Sequence, residues 1–212
     1  MKICIISDTH NQHKKLNITE CDVLIHCGDA TPFGEEHQLF KFFAWMSEQP
    51  AKHKVFVAGN HDFDVEHRTA FWKEHCSSLG IILLQNEAAT IAGLKMYGTA
   101  DQPMFCDWAF NRNGTQLEMS YAQIPEGLDI LITHCPPYGL LDMVHFANGD
   151  PKMRVGSMHL YTEVMRAAPK IHCFGHIHSD YGYKEFNGTK FYNAALCDEM
   201  NSLSHEPWSF EI

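Results

Sequence analysis

The sequence has little positive charge. It contains 16 Lys and Arg residues against 26 Asp and Glu residues, which gives a net charge of -10 with His neutral. Long nucleic acids bind mainly through Lys and Arg side chains that displace counterions from the phosphates. The composition therefore argues against a long nucleic acid as a partner. A small phosphorylated substrate remains compatible, because bound metal ions can reverse the field locally.

Long apolar runs are also missing. The first apolar run covers only Ile3 to Ile6, whereas the apolar core of a signal peptide has about 7–15 residues. No stretch approaches the roughly 18 apolar residues of a membrane span. We therefore expect a cytoplasmic protein that does not interact with a membrane, and the sequence indicates no protein partner.

The cysteines lack the spacing of a zinc finger or a redox motif. Eight are present, no two of them form C-x-x-C, and several lie inside apolar runs. This pattern is more typical of buried, reduced thiols than of a secreted disulfide framework. The motifs of a phosphate-binding loop, G-x-x-x-x-G-K-[ST], and of a nucleophile elbow, G-x-S-x-G, are absent as well.

What the sequence does contain is one local pattern that occurs five times. The 212 residues of the chain fit a single domain over residues 1–212. In each occurrence a short run rich in Val, Ile and Leu ends abruptly in small and polar residues, which is typical of a buried strand. The predicted strands cover residues 2–6, 22–26, 54–58, 128–132 and 170–174.

Helices and hairpins are predicted between and after these strands. Apolar residues at helical spacing predict helices over 36–49, 66–79 and 156–168, with Phe71 and Trp72 of the second facing inward. Turn signals around Gly93 and at Asn187-Gly188 predict two hairpins. Residues 209–212 are predicted to form a last strand. Two β-layers with helices outside are the expected architecture, and segment 103–123 stays unassigned.

Polar residues that can bind a metal or move a proton follow the predicted strands. One such histidine is more often a hydrogen-bonded loop residue, but five strand ends that carry such residues favour one shared site. In open α/β sheets ligands bind at this edge, and carboxylate, amide and imidazole donors suit Mn, Fe, Zn or Ni. The residues are Asp8, His10, Asp29, Asn60, His61, His134, His176 and His178.

Taken in order, these residues resemble the signature of the calcineurin-like metallophosphoesterases. The motifs are Asp8-x-His10, Gly28-Asp29, Gly59-Asn60-His61-Asp62, His134 and Gly175-His176-x-His178. The resemblance extends from residue 8 to residue 178. It implies an α/β fold in which two mixed β-sheets pack face to face with flanking helices, a four-layer α/β/β/α sandwich, and this agrees with the two β-layers expected above.

A finer resemblance connects the chain with the metallophosphoesterase-domain proteins related to brain cyclic-nucleotide phosphodiesterases. It rests on residues 133–139, 154–157 and 174–178, and on Tyr181-Gly182. Some members of that branch lack the first histidine of the Gly-His-x-His motif. This chain has it as His176, so the resemblance implies a complete set of metal ligands.

The resemblance assigns seven of these residues to two divalent metal ions, whose identity stays open among Mn, Fe, Zn and Ni. The ligands would be Asp8, His10 and His178 for one ion and Asn60, His134 and His176 for the other, with Asp29 as a bridge. A bridging carboxylate can hold two cations about 3.5–4 Å apart, with a hydroxide between them as the nucleophile.

The remaining polar residues of the motifs would act on the substrate. The resemblance leaves His61 free of the metals, so that it would serve as the general acid for the leaving oxygen. Asp62 would orient His61, or else be a capping or surface carboxylate. Arg154, with Lys152, would contact a phosphate or lie in a solvated loop.

A hydrolase of small phosphodiesters such as cyclic nucleotides is the function that the sequence favours. Aromatic residues of segment 104–112, together with Tyr138 and Tyr181, would stack on a base or simply pack on the core. The alternatives are a phosphomonoesterase or protein phosphatase of the same fold and, less favoured because no ligand position is lost, a non-catalytic binding module.

Overall fold

The structure is a computed structural model that describes residues 1–145 and 153–212. Its strands are β1 (Lys2–Ile6), β2 (Cys21–His26), β3 (Ala51–Phe56), β4 (Ile81–Leu83), β5 (Glu87–Ile91), β6 (Leu94–Thr99), β7 (Gln102–Pro103), β8 (Asn111–Arg112), β9 (Ile130–Thr133), β10 (Met143–Val144), β11 (Met153–Arg154), β12 (Ile171–Phe174), β13 (Gly182–Phe186), β14 (Thr189–Asn193) and β15 (Trp208–Glu211). Its α-helices are α1 (Glu36–Ser47), α2 (Phe63–His67), α3 (Thr69–Ser78), α4 (Gly114–Tyr121) and α5 (Met158–Ala167). None of the described helices is long and apolar enough to cross a membrane.

The first sheet has the strand order β15-β1-β2-β3-β4. Strands β1 to β4 are parallel, and β15 pairs antiparallel with β1 at one edge. Helix α1 packs its apolar residues into the core of this sheet, because they recur at helical spacing and form one stripe. These buried residues are Leu39, Phe42, Phe43 and Met46.

The second sheet has the strand order β13-β14-β12-β9-β6-β5. Its four central strands are parallel, whereas β13 and β5 are antiparallel hairpin partners of β14 and β6 at the edges. Both predicted hairpins are therefore confirmed. Alternation along β9 shows the layers, since Ile130 and Ile132 lie in the core shared with the first sheet, while Leu131 packs with α4 and α5.

The layer arrangement confirms the predicted α/β/β/α sandwich. One apolar core contains residues of both sheets together with residues of α1 and α3. A second core contains residues of the second sheet together with residues of α4 and α5. The two sheets thus face each other, with one pair of helices on the outer side of each.

The predicted helix over 66–79 is wrong in two respects. Arg68 leaves the helical conformation, with φ -129° and ψ 41°, and its guanidinium pairs with Asp64, so α2 and α3 are separate helices. Helix α3 begins after this break, and its inward face carries Trp72, which is fully buried in the core. Phe71, predicted to face inward, is 41% exposed.

Segment 103–123 contains β8 and α4. Asn113 begins α4 with a capping box: its side chain accepts a hydrogen bond from the backbone N–H of Gln116 at 3.0 Å, and the Gln116 side chain accepts one from the backbone N–H of Asn113 at 2.9 Å. An Asn and a Gln three residues apart are a known helix start. The sequence therefore carried a signal for this helix that composition and periodicity alone did not show.

Candidate metal centre

Two sheets bring the predicted site residues to one edge of the sandwich. In the first sheet Asp8 follows β1, Asp29 follows β2 and Asn60 follows β3. In the second sheet His134 comes directly after β9, and His176 comes two residues after β12. These strands are parallel within each sheet, so their carboxyl ends share an edge, where α/β proteins bind ligands.

Several of these residues have an unusual backbone conformation. Asp8, His10, Asp29 and His176 have φ values of 52°, 39°, 56° and 68°. Positive φ is uncommon for residues other than glycine, and it costs on the order of 1–3 kcal/mol where the surroundings enforce it. Such strain concentrates at functional sites, which supports the assignment of this edge as the site.

Two glycines let the strand ends approach each other closely. A Cβ on Gly28, whose φ is +107°, would lie 2.5 Å from Nδ1 of His134. A Cβ on Gly59 would collide with the carboxylate of Asp29. The glycine before each of these strand-end ligands is therefore required because a ligand from another strand occupies the space of its side chain.

The first ligand group consists of Asp8, His10 and His178. Nε2 of His178 lies 3.3 Å from Oδ1 of Asp8 and 3.3 Å from Nε2 of His10. The three ligand atoms lie within 4.8 Å of one another, and the carboxylate of Asp8 is fully buried. These are the three residues predicted to hold the first ion.

The second ligand group consists of Asp29, His134 and His176, again within 4.8 Å of one another. Nε2 of His134 lies 3.3 Å from Oδ2 of Asp29 and 2.9 Å from Oδ1 of Asn60. Oδ2 of Asp29 also lies 3.9 Å from Nε2 of His10 in the first group. Asp29 thus belongs to the second group and also lies beside the first, where the family resemblance implies a bridge.

A backbone carbonyl fixes the tautomer of one histidine in each group. Nδ1 of His134 donates to the carbonyl of Cys27 at 2.9 Å, and Nδ1 of His178 donates to the carbonyl of Asp198 at 2.9 Å. A carbonyl only accepts, so in the neutral rings the Nε2 lone pairs face carboxylate and amide oxygens. Such a convergence of lone pairs needs a cation, and the residues present therefore fit a metal ion.

The electrostatics of the two groups agree with a cation site. Burial alone would lower the pKa of His134, but the Asp29 carboxylate outweighs it and raises the pKa to about 9. Burial would also lower the pKa of His178, but the hydrogen bond and charge of Asp8, together with the Asp198 carbonyl and the Asp29 charge, outweigh it and raise the pKa to about 9. Burial and the neighbouring His134 lower the pKa of His176 to about 3. Positive charge is thus favoured beside each carboxylate.

His61 belongs to neither ligand group. Its backbone N–H donates to Oδ1 of Asp29 at 2.8 Å, and its Nε2 lies 3.8 Å from Oδ2 of Asp29. Its Nδ1 donates to the carbonyl oxygen of Pro32 at 2.5 Å. The ring therefore borders the ligands with Nε2 on their side, as a proton donor to a bound substrate would.

Asp62 does not orient His61, which corrects the expectation from sequence. Oδ2 of Asp62 accepts hydrogen bonds from the backbone N–H groups of Gly59 at 2.8 Å and Asp29 at 3.0 Å. The tight turn from Gly59 to Asp62 directs the carboxylate back onto the backbone instead of toward the imidazole. Asp62 is fully buried, so it is not a surface residue either. Burial, with the nearby Asp29 charge, raises its pKa to about 7.

The predicted substrate contacts have varied surroundings. Arg154 is paired with the buried carboxylate of Asp142 at 2.6 Å, so its charge is already partnered. Lys152 lies outside the described residues. Tyr138 is 39% exposed, and Phe105 is 64% exposed.

Other predicted aromatic faces are used within the protein. Phe110 is buried in the core. Tyr181 stacks on His205 with ring centroids 4.2 Å apart. Trp108 lies against His61, also at 4.2 Å, which sequence reasoning did not foresee. The carbonyl of Pro32 was missed as well, because a backbone acceptor leaves no signal in residue identity.

Comparisons with known proteins show which proteins the chain is similar to. A family model described as calcineurin-like phosphoesterase matches residues 1–180. The human and mouse proteins named metallophosphoesterase domain-containing protein 1 are each 37% identical over 92% of this chain. The chain spans 65% of the length of these two relatives. A UPF0046 protein of Caenorhabditis elegans is 34% identical over the whole chain and 75% of its own length.

Solved structures share the fold. One crystal structure has a TM-score of 0.67 at 17% identity and covers 91% of this chain and 89% of its own. The crystal structure of TT1561 of Thermus thermophilus has a TM-score of 0.62 at 15% identity and covers 96% of both chains. At such low identity these likenesses support the architecture and nothing finer.

Proposed function

The chain belongs to the calcineurin-like phosphoesterase family, a metal-dependent family, and we propose that it hydrolyses small phosphodiesters, such as cyclic nucleotides, with two divalent metal ions. The observation that carries the proposal is the position of Asp29 between the two ligand groups. Its Oδ2 lies 3.3 Å from Nε2 of His134 on one side and 3.9 Å from Nε2 of His10 on the other.

The donor set decides which cations suit the centre. It combines carboxylate and amide oxygens with imidazole nitrogens. These donors suit Mn, Fe, Zn or Ni better than the thiolates of a soft site would. When bound, the two cations would supply Lewis acidity that activates water and neutralises phosphoryl charge. The proposed ligands are Asp8, His10 and His178 for one ion, Asn60, His134 and His176 for the other, and Asp29 for both.

His61 is the proposed general acid. Its Nδ1 proton is held by the Pro32 carbonyl, so in the imidazolium form Nε2 carries the proton that goes to the leaving oxygen, and the ring is left neutral with its proton on Nδ1. Asp62 supports the same region indirectly, because its hydrogen bonds to the backbone of Gly59 and Asp29 hold the two strand ends together. In this proposal His61 protonates the leaving group, and Asp62 keeps the strand ends beside it in place.

Small diesters are the proposed substrate class. The resemblance at residues 133–139 and 154–157 favours the cyclic-nucleotide branch. The exposed rings of Phe105 and Tyr138 lie in the segments next to Trp108 and His134, where stacking on a base would contribute roughly 1–3 kcal/mol. The net charge of -10 supports a small substrate bound at metal ions over a long nucleic acid.

A metal-reconstituted activity screen tests the proposal. Chelator-treated protein is loaded with Mn²⁺ and assayed on bis-p-nitrophenyl phosphate, p-nitrophenyl phosphate, 2′,3′- and 3′,5′-cyclic nucleotides, and matched nucleoside monophosphates. We expect no activity before reconstitution and a higher kcat/KM for diesters after it. Activity that survives complete metal removal would end the two-metal proposal, and a clear preference for monophosphates would make the protein a phosphomonoesterase.

A further inference from the structure

The imidazole ring of His61 is held between three neighbours. Its Nδ1 donates to the carbonyl of Pro32 at 2.5 Å. The indole of Trp108 lies against it with ring centroids 4.2 Å apart and planes inclined by 46°. The ring of His10 meets it edge-on at 5.0 Å, with planes at 86°. The side chain of His61 is consequently only 22% exposed, although it borders the site.

Rotation about the Cα–Cβ and Cβ–Cγ bonds sets the orientation of this ring, and the single hydrogen bond to Pro32 is its one polar anchor. If that bond lengthened, such a rotation would carry Nε2 away from the ligands. The Trp108 indole packs against the ring at 4.2 Å between centroids, and this contact restricts the rotation. With both neighbours in place, Nε2 stays 3.8 Å from Oδ2 of Asp29.

Trp108 is itself tied to the segment that carries the site. The backbone N–H of the next residue, Ala109, donates to the carbonyl of Asn60 at 3.1 Å. The side-chain amide of Asn111 donates to the carbonyls of Phe105 and Cys106 at 3.2 and 2.9 Å, which closes the loop that holds the indole. The position of Trp108 is therefore coupled to that of Asn60 and His61.

We propose that Trp108 is the positioning residue of His61: it fixes the plane of the imidazole so that Nε2 remains directed at the leaving-group oxygen. The inference rests on the proposed function of His61 as the general acid. It gives the ring a partner in place of Asp62, whose carboxylate is bonded to backbone N–H groups elsewhere. Trp108 acts through His61 and takes no part in proton transfer.

The kinetic test uses two variants and a matched control. Trp108→Leu removes the indole, and Trp108→Phe keeps a ring. Trp45→Leu removes a second indole, on helix α1, that lies 5.1 Å from the ring of the buried His13. Each protein is loaded with Mn²⁺ and assayed on a 2′,3′-cyclic nucleotide, which has an alkoxide leaving group, and on bis-p-nitrophenyl phosphate, which has a good one.

For Trp108→Leu we expect kcat on the cyclic nucleotide to fall between about 10-fold and 10²-fold, since misplacing an acid costs part of its contribution. KM, metal content and kcat on bis-p-nitrophenyl phosphate should change little. Trp108→Phe should recover most of the loss, and Trp45→Leu should leave the leaving-group dependence unchanged. An increase in KM at constant kcat, or equal losses on both substrates, would overturn the positioning role.

His61→Ala, measured in parallel, separates this inference from the function beneath it. If His61→Ala loses no more activity on the cyclic nucleotide than on bis-p-nitrophenyl phosphate, the general-acid role itself is wrong. If His61→Ala shows that difference and Trp108→Leu does not, the general acid stands and the positioning by Trp108 is wrong.

A second readout needs no activity. In metal-free protein the carbon-bound ring protons of His61 lie beside the Trp108 indole, so their NMR signals carry its ring-current shift. We expect Trp108→Leu to move these signals and Trp45→Leu to leave them in place. Identical His61 signals in the wild type and in Trp108→Leu would overturn the contact on which the inference rests.

Discussion

Buried histidines occupy two different settings in this protein. At the strand ends, His134 and His178 face carboxylates. Inside the core, His26 and His172 face aromatic rings. The ring centroids of His26 and Phe42 are 4.9 Å apart, and those of His172 and Phe174 are 5.0 Å apart. All four rings are largely buried, so the difference lies in what each ring meets.

The surroundings move the pKa of His134 and His178 in the opposite direction from that of His26 and His172, whereas the pKa of His176 falls to about 3 because burial and the neighbouring His134 prevail there. Burial lowers the pKa of His26 and of His172 to about 3, so both rings are neutral in the folded protein. Carboxylates outweigh burial at His134 and His178 and raise the pKa of each to about 9. A buried histidine therefore indicates a metal site only when its free nitrogen faces an anionic group, and substitutions in both settings can test this distinction.

The largest expected effect comes from the carboxylate shared by the two ligand groups. Asp29→Asn should lower kcat by about 10⁴-fold and reduce metal content, because a neutral amide bridges two cations poorly and several kcal/mol of charge stabilisation are lost. Activity and bound metal are measured on one preparation. Asp101→Asn, at a buried carboxylate that bonds Asn86 and Ser120, is the control and should retain metal. Equal metal content in the two variants would contradict the bridge.

The next effect distinguishes His61, which is at the site but is not a proposed ligand, from the histidines that are. His61→Ala should lower kcat by about 10²–10⁴-fold, the range of a general acid, while metal content stays nearly unchanged. The loss should shrink for p-nitrophenolate leaving groups, which need little protonation. If metal content falls in step with activity, His61 is a ligand and its proposed role is wrong.

A smaller effect concerns stability and contrasts the two histidine settings directly. Mn²⁺ at about 100 times its Kd should raise the free energy of unfolding of chelated protein by about 2.7 kcal/mol for one site. His178→Ala should remove most of this gain, since it deletes a ligand of the first group. His172→Gln should keep the gain in full. Denaturant unfolding with and without Mn²⁺ measures the gain in each variant. A reduced gain in His172→Gln would contradict the distinction between the two histidine settings.

The smallest effect is the contribution of one core histidine, His172, to the acid dependence of stability. In the unfolded chain His172 takes up a proton near pH 6.5, but in the folded protein only near pH 3. The unfolded state thus binds more protons between these values, and stability falls as the pH drops. His172→Gln should flatten the slope by about 1.4 kcal/mol per pH unit between about pH 4 and 6 in metal-free protein. An unchanged slope would mean that His172 is not neutral and buried.

The proposed ligands could be predicted because each lies within a few residues of a strand end. Asp8 follows the apolar run of β1 by two residues, and His134 follows β9 directly. The first and last residues of the strands are harder to predict. Strand β3 begins at Ala51 and not at residue 54, since its polar first residues pair with β2, and a pairing register leaves no trace in local hydrophobicity.

The surroundings of His61 could not be predicted for a different reason. Its hydrogen-bond partner is the backbone carbonyl of Pro32, which any residue would provide. Its ring partner, Trp108, arrives from a loop whose approach depends on the hydrogen bond between Ala109 and Asn60. Asp62 is adjacent in sequence, but the tight turn from Gly59 directs its carboxylate to backbone N–H groups. Short-range patterns therefore predict the proposed ligands and miss the groups that surround His61.

The ligands of each group come from both sheets, and this has a consequence for how the protein assembles. His10 and His178, 3.3 Å apart in the finished site, are separated by 168 positions in the chain. Neither sheet carries a complete group, so a cation would meet its full set of proposed ligands only after the two layers have packed together. A bound metal ion would then stabilise contacts that form late in folding, and it would slow unfolding more than it speeds folding.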